Sequence, residues 1–236
     1  PGRPASRMGI SIGDTLAATY GCMGALAALH ARERTGRGQI VDSALYEAVL
    51  QVMESLVPEY VVSGYVRERS GSTLPGIAPS NVYRCKDGDY LIGANQDAVF
   101  ARLCAAMSRP ELASDPRYVD HVARGRHQME LDGLIEAWTS QHSIAEVAAL
   151  MITHSVPSGK IYRAPEMLED PHFAAREALI SVDHPQWGKL TMQNCFPKLS
   201  DTPSSVRTPA PATIGQDNAG VYGALLGLDD EEMKAL

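Results

Sequence analysis

A single aspartate stands where an apolar helix is predicted to begin. Asp14 follows Gly13, which ends a short, mostly apolar run from residue 10, and this pattern predicts a strand end that turns into a helix. A carboxylate at that turn faces the free backbone N–H groups and the positive end of the helix dipole. It can cap the helix, for which aspartate is a preferred residue, or act as an oriented nucleophile. Position 14 alone leaves both roles open, with the cap as the commoner one.

The remaining reactive side chains form no recognisable catalytic or metal-binding pattern. None of the seven histidines lies in a triad-like or HExxH context. The four cysteines are far apart in the chain and include no CxxC pair: Cys22, Cys85, Cys104 and Cys195. We therefore predict no metal site. We also predict four free thiols, packed as small core residues in a protein of the reducing cytoplasm.

The charge balance argues against two classes of partner. With 28 acidic and 21 basic residues the net charge is −7, which disfavours nucleic acid and anionic membranes. The longest charge-free run, residues 15–29, is shorter than the roughly 20 residues of a membrane-spanning helix. We predict neither a nucleic-acid partner nor a membrane segment. The length allows one large domain or two small ones with ample core.

The first third of the chain predicts two helices. The first runs from Asp14 to about Arg32 and ends at Gly36, with small residues on one face at Ala17, Gly21, Gly24 and Ala28. A short strand is predicted over residues 39–41. The second helix begins near Asp42 or Ser43 and stops before Pro58.

The rest of the chain predicts a small α+β domain and a return segment. The pair Asp87-Gly88 between two apolar runs indicates a hairpin. Helices are expected over residues 97–107 and 124–139, and from a capping box at Ser143 and Glu146. A further helix over 166–177, a second hairpin over 179–192 and two short helices near 220–226 and from 229 follow.

Several short motifs, in their order and spacing, resemble those of the class III CoA-transferases. The likeness begins with Gly13-Asp14 and the segment from Leu26 to Glu47, and it covers nearly the whole chain. It continues in motifs further along: Pro79-Ser80-Asn81-Val82-Tyr83, Lys86-Asp87-Gly88, Asp115-Pro116-Arg117 and Val156-Pro157. This family includes formyl-CoA transferase, carnitine CoA-transferase and the 2-methylacyl-CoA racemases.

The resemblance implies an acyl-CoA:carboxylate CoA-transferase. In that reading Asp14 attacks the thioester and forms covalent aspartyl intermediates, coenzyme A is a co-substrate, and no cofactor is permanently bound. A 2-methylacyl-CoA racemase is the alternative enzyme, in which Asp14 would be a base. The glutamate that acts as a base in the racemases would align within Gly93 to Asp97. In this segment Gln96 cannot take a proton, and Asp97 is one position away from the simplest alignment with that glutamate. A third alternative is a non-catalytic fragment, because the family's CoA-binding segment precedes this point. The Pro79 to Tyr83 motif favours small dicarboxylates such as succinyl-type donors.

The resemblance also implies an α/β fold: part of a Rossmann-like CoA-binding domain with an inserted small α+β domain. We expect residues 1–62 to be the C-terminal half of the large domain, 63–79 a linker or active-site loop, 80–164 the small domain and 165–236 a return segment on the large domain. In formyl-CoA transferases a glycine-rich loop covers the active site near this linker, so Gly71, Ser72 and Thr73 are candidate substrate-binding residues. The family forms interlinked homodimers, for which the small-residue face of the first helix would suit close packing. Residues 1–236 alone would then be inactive.

Overall fold

The computed structural model describes residues 7–235. Within that range the chain divides between Ile77 and Ala78 into two compact units. The predicted finer division, at residues 62/63, 79/80 and 164/165, stays a prediction, and the terms small domain and return segment are only names for residues 80–164 and 165–236.

The unit that ends at Ile77 is built from three helices. They are α1 (Ile12–Thr35), α2 (Leu45–Gln51) and α3 (Leu56–Ser63), and α1 packs on α2. The predicted end of α1 is confirmed. Gly36 adopts the left-handed conformation with φ 70°, which costs glycine little, and its N–H donates to Arg32 O at 2.8 Å.

Two predictions for this unit are wrong. Residues 39–41 form no strand, and the single helix predicted from Asp42 to Pro58 is two helices separated by a turn in which Glu54 has φ 55°. The second helix then continues past Pro58 to Ser63. Pro58 lies in the first turn of α3, where a backbone N–H has no helical partner and its absence costs nothing.

The small-residue face of α1 is covered by the chain itself. Ser43 Oγ donates to Ala17 O at 3.0 Å, and a Cβ added to Gly24 would lie 2.7 Å from Val41 Cγ1. A Cβ at Gly21 would meet nothing nearer than 3.9 Å. The segment around Val41 and Ser43 therefore approaches α1 so closely that only glycine fits at position 24. This packing explains the glycine at position 24, and a role of the small-residue face in a dimer stays a prediction.

A pair of glycine substitutions should separate close packing from helix propensity. Gly21→Ala should stabilise α1, whereas Gly24→Ala should be less stable than Gly21→Ala by about 1–3 kcal/mol, because its methyl group overlaps Val41. Urea unfolding followed by circular dichroism would measure both. The added change Val41→Ala should restore the Gly24→Ala variant. Equal stabilities for the two alanine variants would show that Val41 does not constrain this face.

α1 also meets the length and composition of a membrane-spanning helix. It has 24 residues, a mean hydropathy of 1.2 over its most apolar window, and no buried residue. These two properties alone are weakly indicative, since core helices of soluble proteins and signal sequences share them. The absence of a membrane segment stays a prediction.

The second unit begins with an antiparallel sheet and its helices. The strands β1 (Ser80–Cys85), β2 (Gly88–Gly93) and β3 (Ser158–Lys160) lie in the order β1-β2-β3. The first hairpin is confirmed, while β3 was not predicted. The helices are α4 (Asp97–Ala106), α5 (His121–Arg126), α6 (Gln128–Thr139) and α7 (Ile144–Thr153), with a 3₁₀ turn at Pro110–Ser114. Helices and sheet enclose a core that includes Tyr83, Ile92, Leu103, Leu131, Ile135 and Met151.

Three capping side chains set two of the helix starts in this small domain. The predicted capping box is confirmed: Ser143 Oγ accepts from the Glu146 N–H at 3.3 Å, and the Glu146 carboxylate accepts from the Ser143 N–H at 2.7 Å. The single helix predicted over 124–139 is instead two. Asp120 caps α5 by accepting from the Ala123 N–H at 2.7 Å, so the first helix begins before the predicted start at residue 124. The two helices are separated at His127.

The return segment contains the second predicted hairpin. Its elements are α8 (Ala164–Glu169), α9 (Pro171–Ala175), β4 (Leu179–His184), β5 (Gly188–Gln193), a π-helical segment (Ala219–Leu225) and α10 (Asp230–Lys234). The predicted helix over 166–177 is divided at Pro171, which lacks an N–H. The preceding Asp170 caps α9 by accepting from the His172 N–H at 2.7 Å.

Candidate active site

Asp14 lies inside the first turn of α1. The helix begins at Ile12, so Asp14 is the third helical residue and the residue before the helix is Ser11. The prediction of a strand end with Asp14 at the cap position is therefore wrong, because the helix extends two residues further toward the N-terminus. Ser11 makes no side-chain capping hydrogen bond.

The Asp14 carboxylate is exposed to solvent. Within residues 7–235 it accepts no hydrogen bond and forms no ion pair. Its neighbours in the first turn have backbone N–H groups without helical partners, and the positive end of the helix dipole attracts negative charge there. These features suit a nucleophile, because its oxygens are accessible and an oxyanion formed beside them would meet N–H donors.

The position of Asp14 is fixed by contacts around the start of α1. Thr15 donates to Ser11 O through its N–H and its Oγ1, each at 3.0 Å. A Cβ added to Gly13 would lie 3.7 Å from Val49 Cγ2 on α2, so the first turn of α1 sits beside α2. The aspartate is therefore carried by a packed helix rather than by a loose loop.

The candidate substrate-binding residues form a tight turn. Gly71 has φ 70°, Ser70 Oγ donates to Thr73 O at 2.7 Å, and Thr73 Oγ1 donates to Ser70 O at 2.7 Å. The hydroxyl of Thr73 is thus committed to closing the turn in this conformation. The structure records no contact between Asp14 and residues 71–73, whose role in substrate binding stays a prediction. A ligand role for Thr73 would require the turn to open.

Asp97, the candidate base of the racemase alternative, is held in an ion pair. Its Oδ1 accepts a hydrogen bond from Arg124 Nη2 at 2.6 Å, and Arg124 is fully buried. The ion pair occupies a carboxylate oxygen that a base would need for its contact with a substrate. The structure therefore adds no support to the racemase reading.

The motif from Pro79 to Tyr83 is tied to a helix of the small domain. Asp132 on α6 accepts from Asn81 Nδ2 at 3.1 Å and from Tyr83 OH at 2.6 Å. Burial, and then the hydrogen bond to Asp132, raise the pKa of Tyr83 far above its usual value. Tyr83 therefore remains a neutral donor, and this network holds β1 on α6.

The cysteines show two kinds of environment. Cys85 and Cys104 are buried, and burial raises the pKa of Cys104 to about 12 and also raises the pKa of Cys85, so neither is a ready nucleophile. The prediction of core packing is wrong for Cys22, which is exposed, while Cys195 is half-buried. Among the residues described, no group of three or more histidine, cysteine, aspartate or glutamate side chains could hold a metal ion.

The fold is that of solved CaiB/BaiF proteins. A CAIB/BAIF family protein from Brucella suis superposes with a TM-score of 0.73 at 28% identity, over 95% of this chain and 58% of that one. Rv3272 from Mycobacterium tuberculosis shares the fold with a TM-score of 0.75 at 21% identity, over 92% of this chain and 59% of that one. The architecture is thus a mixed α/β fold with helices and small sheets.

The chain belongs to the CoA-transferase family III, whose family model matches residues 1–218. It is 51% identical over 237 residues to the succinyl-CoA–D-citramalate CoA-transferase of Chloroflexus aurantiacus, covering 100% of this chain and 59% of that protein. It is 34% identical over 249 residues to the formyl-CoA:oxalate CoA-transferase of Streptomyces avermitilis, covering 99% of this chain and 60% of that protein. The chain thus spans about three fifths of the length of these relatives. The family assignment from the sequence motifs is confirmed.

Proposed function

We propose that the protein is a succinyl-CoA:carboxylate CoA-transferase whose acceptor is a small dicarboxylic acid. The observation that carries this proposal is the 51% identity, along the whole chain, to a succinyl-CoA–D-citramalate CoA-transferase. A second relative, 37% identical over 238 residues and matched over 58% of its length, is the beta subunit of a succinyl-CoA–L-malate CoA-transferase. Both relatives pair a succinyl donor with a hydroxylated dicarboxylate.

Asp14 is the proposed nucleophile. Its carboxylate attacks the thioester carbonyl of succinyl-CoA, the C–S bond breaks, and a mixed anhydride and the CoA thiolate result. The thiolate then attacks the Asp14 carbonyl of the anhydride, which releases succinate and leaves an aspartyl-CoA thioester. The backbone N–H groups of the first turn of α1 stabilise the oxyanions.

The acceptor reverses these steps. Its carboxylate attacks the aspartyl thioester and releases the thiolate, which then attacks the acceptor's acyl carbonyl in the new anhydride. The products are the acceptor's CoA thioester and free Asp14, with no net change in protons or electrons. Residues of the turn at 71–73 are the proposed donors to substrate carboxylates, once Thr73 leaves its hydrogen bond to Ser70.

Assembly and location are part of the proposal. Of residues 7–77, Ala48 alone is a buried apolar residue, while large side chains such as Ile40 and Val62 are 95% and 88% exposed. So much exposed apolar surface marks a unit that other protein covers. We infer an interlinked homodimer of longer chains in the cytoplasm, with a Rossmann-like CoA-binding domain completed by sequence beyond this unit.

A substrate panel tests the proposal. In the full-length protein, CoA transfer from succinyl-CoA to D-citramalate or L-malate should be at least about tenfold faster than transfer to mesaconate, which lacks the hydroxyl group. The rate of transfer from formyl-CoA to oxalate should be lower still. Mass spectrometry of the acyl-CoA products would measure the rates, with the opposite enantiomers as matched controls. Transfer from formyl-CoA alone, or no transfer from any donor, would contradict it.

A further inference from the structure

A cleft in the return segment is lined by residues other than the candidate catalytic and substrate-binding ones. It encloses about 400 Å³ between the end of α9 and the chain that leaves β5. This volume is in the range of pockets that bind small organic molecules. The cleft belongs to the unit that begins at Ala78.

Two phenylalanine rings supply its apolar surface. Phe173 packs against Tyr162 with ring centroids 5.5 Å apart, and the Tyr162 OH donates to Asp170 Oδ2 at 2.5 Å. Asp170 also caps α9 and accepts from the Phe173 N–H at 3.3 Å, so the backbone of Phe173 is fixed beside the Tyr162 ring. Phe196, which also lines the cleft, is 88% exposed, which is unusual for so large an apolar side chain. A flat apolar group could stack on these rings.

Cationic side chains line the same cleft. Arg176 and Lys198 both line it, as does His172. Lys198 Nζ is anchored by hydrogen bonds to Arg176 O and, at 3.0 Å, to Glu177 Oε2. The Arg176 guanidinium, by contrast, has no hydrogen bond or ion pair within residues 7–235. Glu177 neutralises Lys198, so the unpaired Arg176 guanidinium provides the net positive charge of this pair of side chains. In a chain of net charge −7, it makes the cleft a local site for an anion.

We propose that this cleft binds a nucleoside phosphate. The base lies against Phe173 and Phe196, the Gln193 amide, which also lines the cleft, can both donate to and accept from the base edge, and the phosphate lies at Arg176 and Lys198. The unpaired guanidinium of Arg176 can hold two phosphate oxygens, and the third N–H of Lys198 can reach another beside its ion pair. A phosphate offers three oxygens to these donors, whereas a carboxylate offers two. The proposal does not depend on the role of Asp14.

Cys195 provides a local readout, because it lines the cleft and is half-buried. In full-length protein, saturating AMP should slow alkylation of Cys195 by iodoacetamide about tenfold or more, with a Kd of about 1 mM or tighter. The exposed Cys22 is an internal control whose alkylation should not change, and peptide mass spectrometry reads both sites at once. Adenosine and inorganic phosphate, each alone, should protect at least about tenfold less well than AMP.

Variants separate this site from any other that binds AMP. Arg176→Gln and Phe196→Ala should each raise the Kd about tenfold, through the lost charge-assisted bond or the lost stacking. Arg163→Gln, which removes an exposed guanidinium paired with Glu166 outside the cleft, should leave the Kd unchanged. Three results would overturn the proposal: no protection of Cys195 by AMP, equal protection by phosphate alone, or a Cys195 that is unreactive without AMP because protein covers the cleft.

Discussion

Replacing Asp14 with asparagine should abolish CoA transfer and leave the fold intact. The amide is not a nucleophile, so no anhydride and no aspartyl thioester can form, and turnover should fall by at least about 10³-fold. Stability should change little, because the Asp14 carboxylate accepts no hydrogen bond within residues 7–235 and is not the cap of α1. The loss of its interaction with the helix dipole costs about 0.3–1 kcal/mol.

The controls for this experiment come from the same unit. Asp42→Asn removes another exposed carboxylate and should turn over at the wild-type rate. Asp14→Ala should be as inactive as Asp14→Asn, which excludes slow deamidation of the asparagine as a source of residual activity. Hydroxylamine trapping and mass spectrometry should find an acyl or CoA adduct on Asp14 in the wild type only. Turnover of the Asp14→Asn variant at the wild-type rate would contradict the mechanism. Exchange of the substrate's α-proton without an adduct on Asp14 would also contradict it and would indicate a racemase.

Signals confined to a few neighbouring residues predicted structure well. Gly36 ends α1, the Asp-Gly pair at 87–88 marks the first hairpin, whose turn is Lys86-Asp87, and Ser143 with Glu146 caps α7. For Gly36 and for Ser143 with Glu146, the hydrogen bonds lie within one turn of helix, so the residues that carry the signal also supply its stabilisation. The hairpin is held by the apolar runs on either side of its turn, which pair as β1 and β2. The apolar pattern also predicts a helix start near residue 14, within two residues of its observed start at Ile12.

Features that depend on distant partners could not be predicted. Strand β3 has only three residues, one of them Gly159, and it exists because it pairs with β2. Val41 and Ser43 lie against the small-residue face of α1, but the helix pattern alone does not show which part of the chain packs there. The sequence predicts a helix stop at Pro58 because it does not show that a new helix begins two residues before it.

Arg124 is the clearest case of a residue that sequence reasoning missed. Within His121–Arg126 it has the same side chain as Arg126, but Arg124 is fully buried and Arg126 is exposed. Its partners come from three other parts of the chain. Nε donates to Ala78 O at 3.1 Å, Nη1 to Tyr118 O at 3.0 Å and Nη2 to Asn95 O at 2.8 Å. No local pattern reveals acceptors that are spread so widely.

Replacing Arg124 with methionine should destabilise the small domain by about 3–5 kcal/mol, because three carbonyl groups lose their donor, and this is the largest stability effect that we expect in this protein. Methionine fills much of the same space, but it leaves the carbonyls of Ala78, Tyr118 and Asn95 without their donor, and two of these residues are fully buried. It also removes the guanidinium that lies 4.8 Å from the centre of the Phe100 ring. The carboxylate of Asp97 is largely exposed, so water would solvate it in the variant, and this solvation limits the loss of stability.

The matched variant Arg126→Met isolates this effect, since it removes an exposed arginine from the same helix and should change stability by no more than about 0.5 kcal/mol. Urea unfolding can be followed inside the small domain through Trp138 on α6, because the chain has two tryptophans and Trp187→Phe removes the other. Asp97→Asn should cost only about 1 kcal/mol, because it removes one acceptor at an exposed position. If Arg124→Met and Arg126→Met unfold at the same urea concentration, the buried guanidinium does not hold these three segments together, and packing around Phe100 and Tyr118 must do so instead.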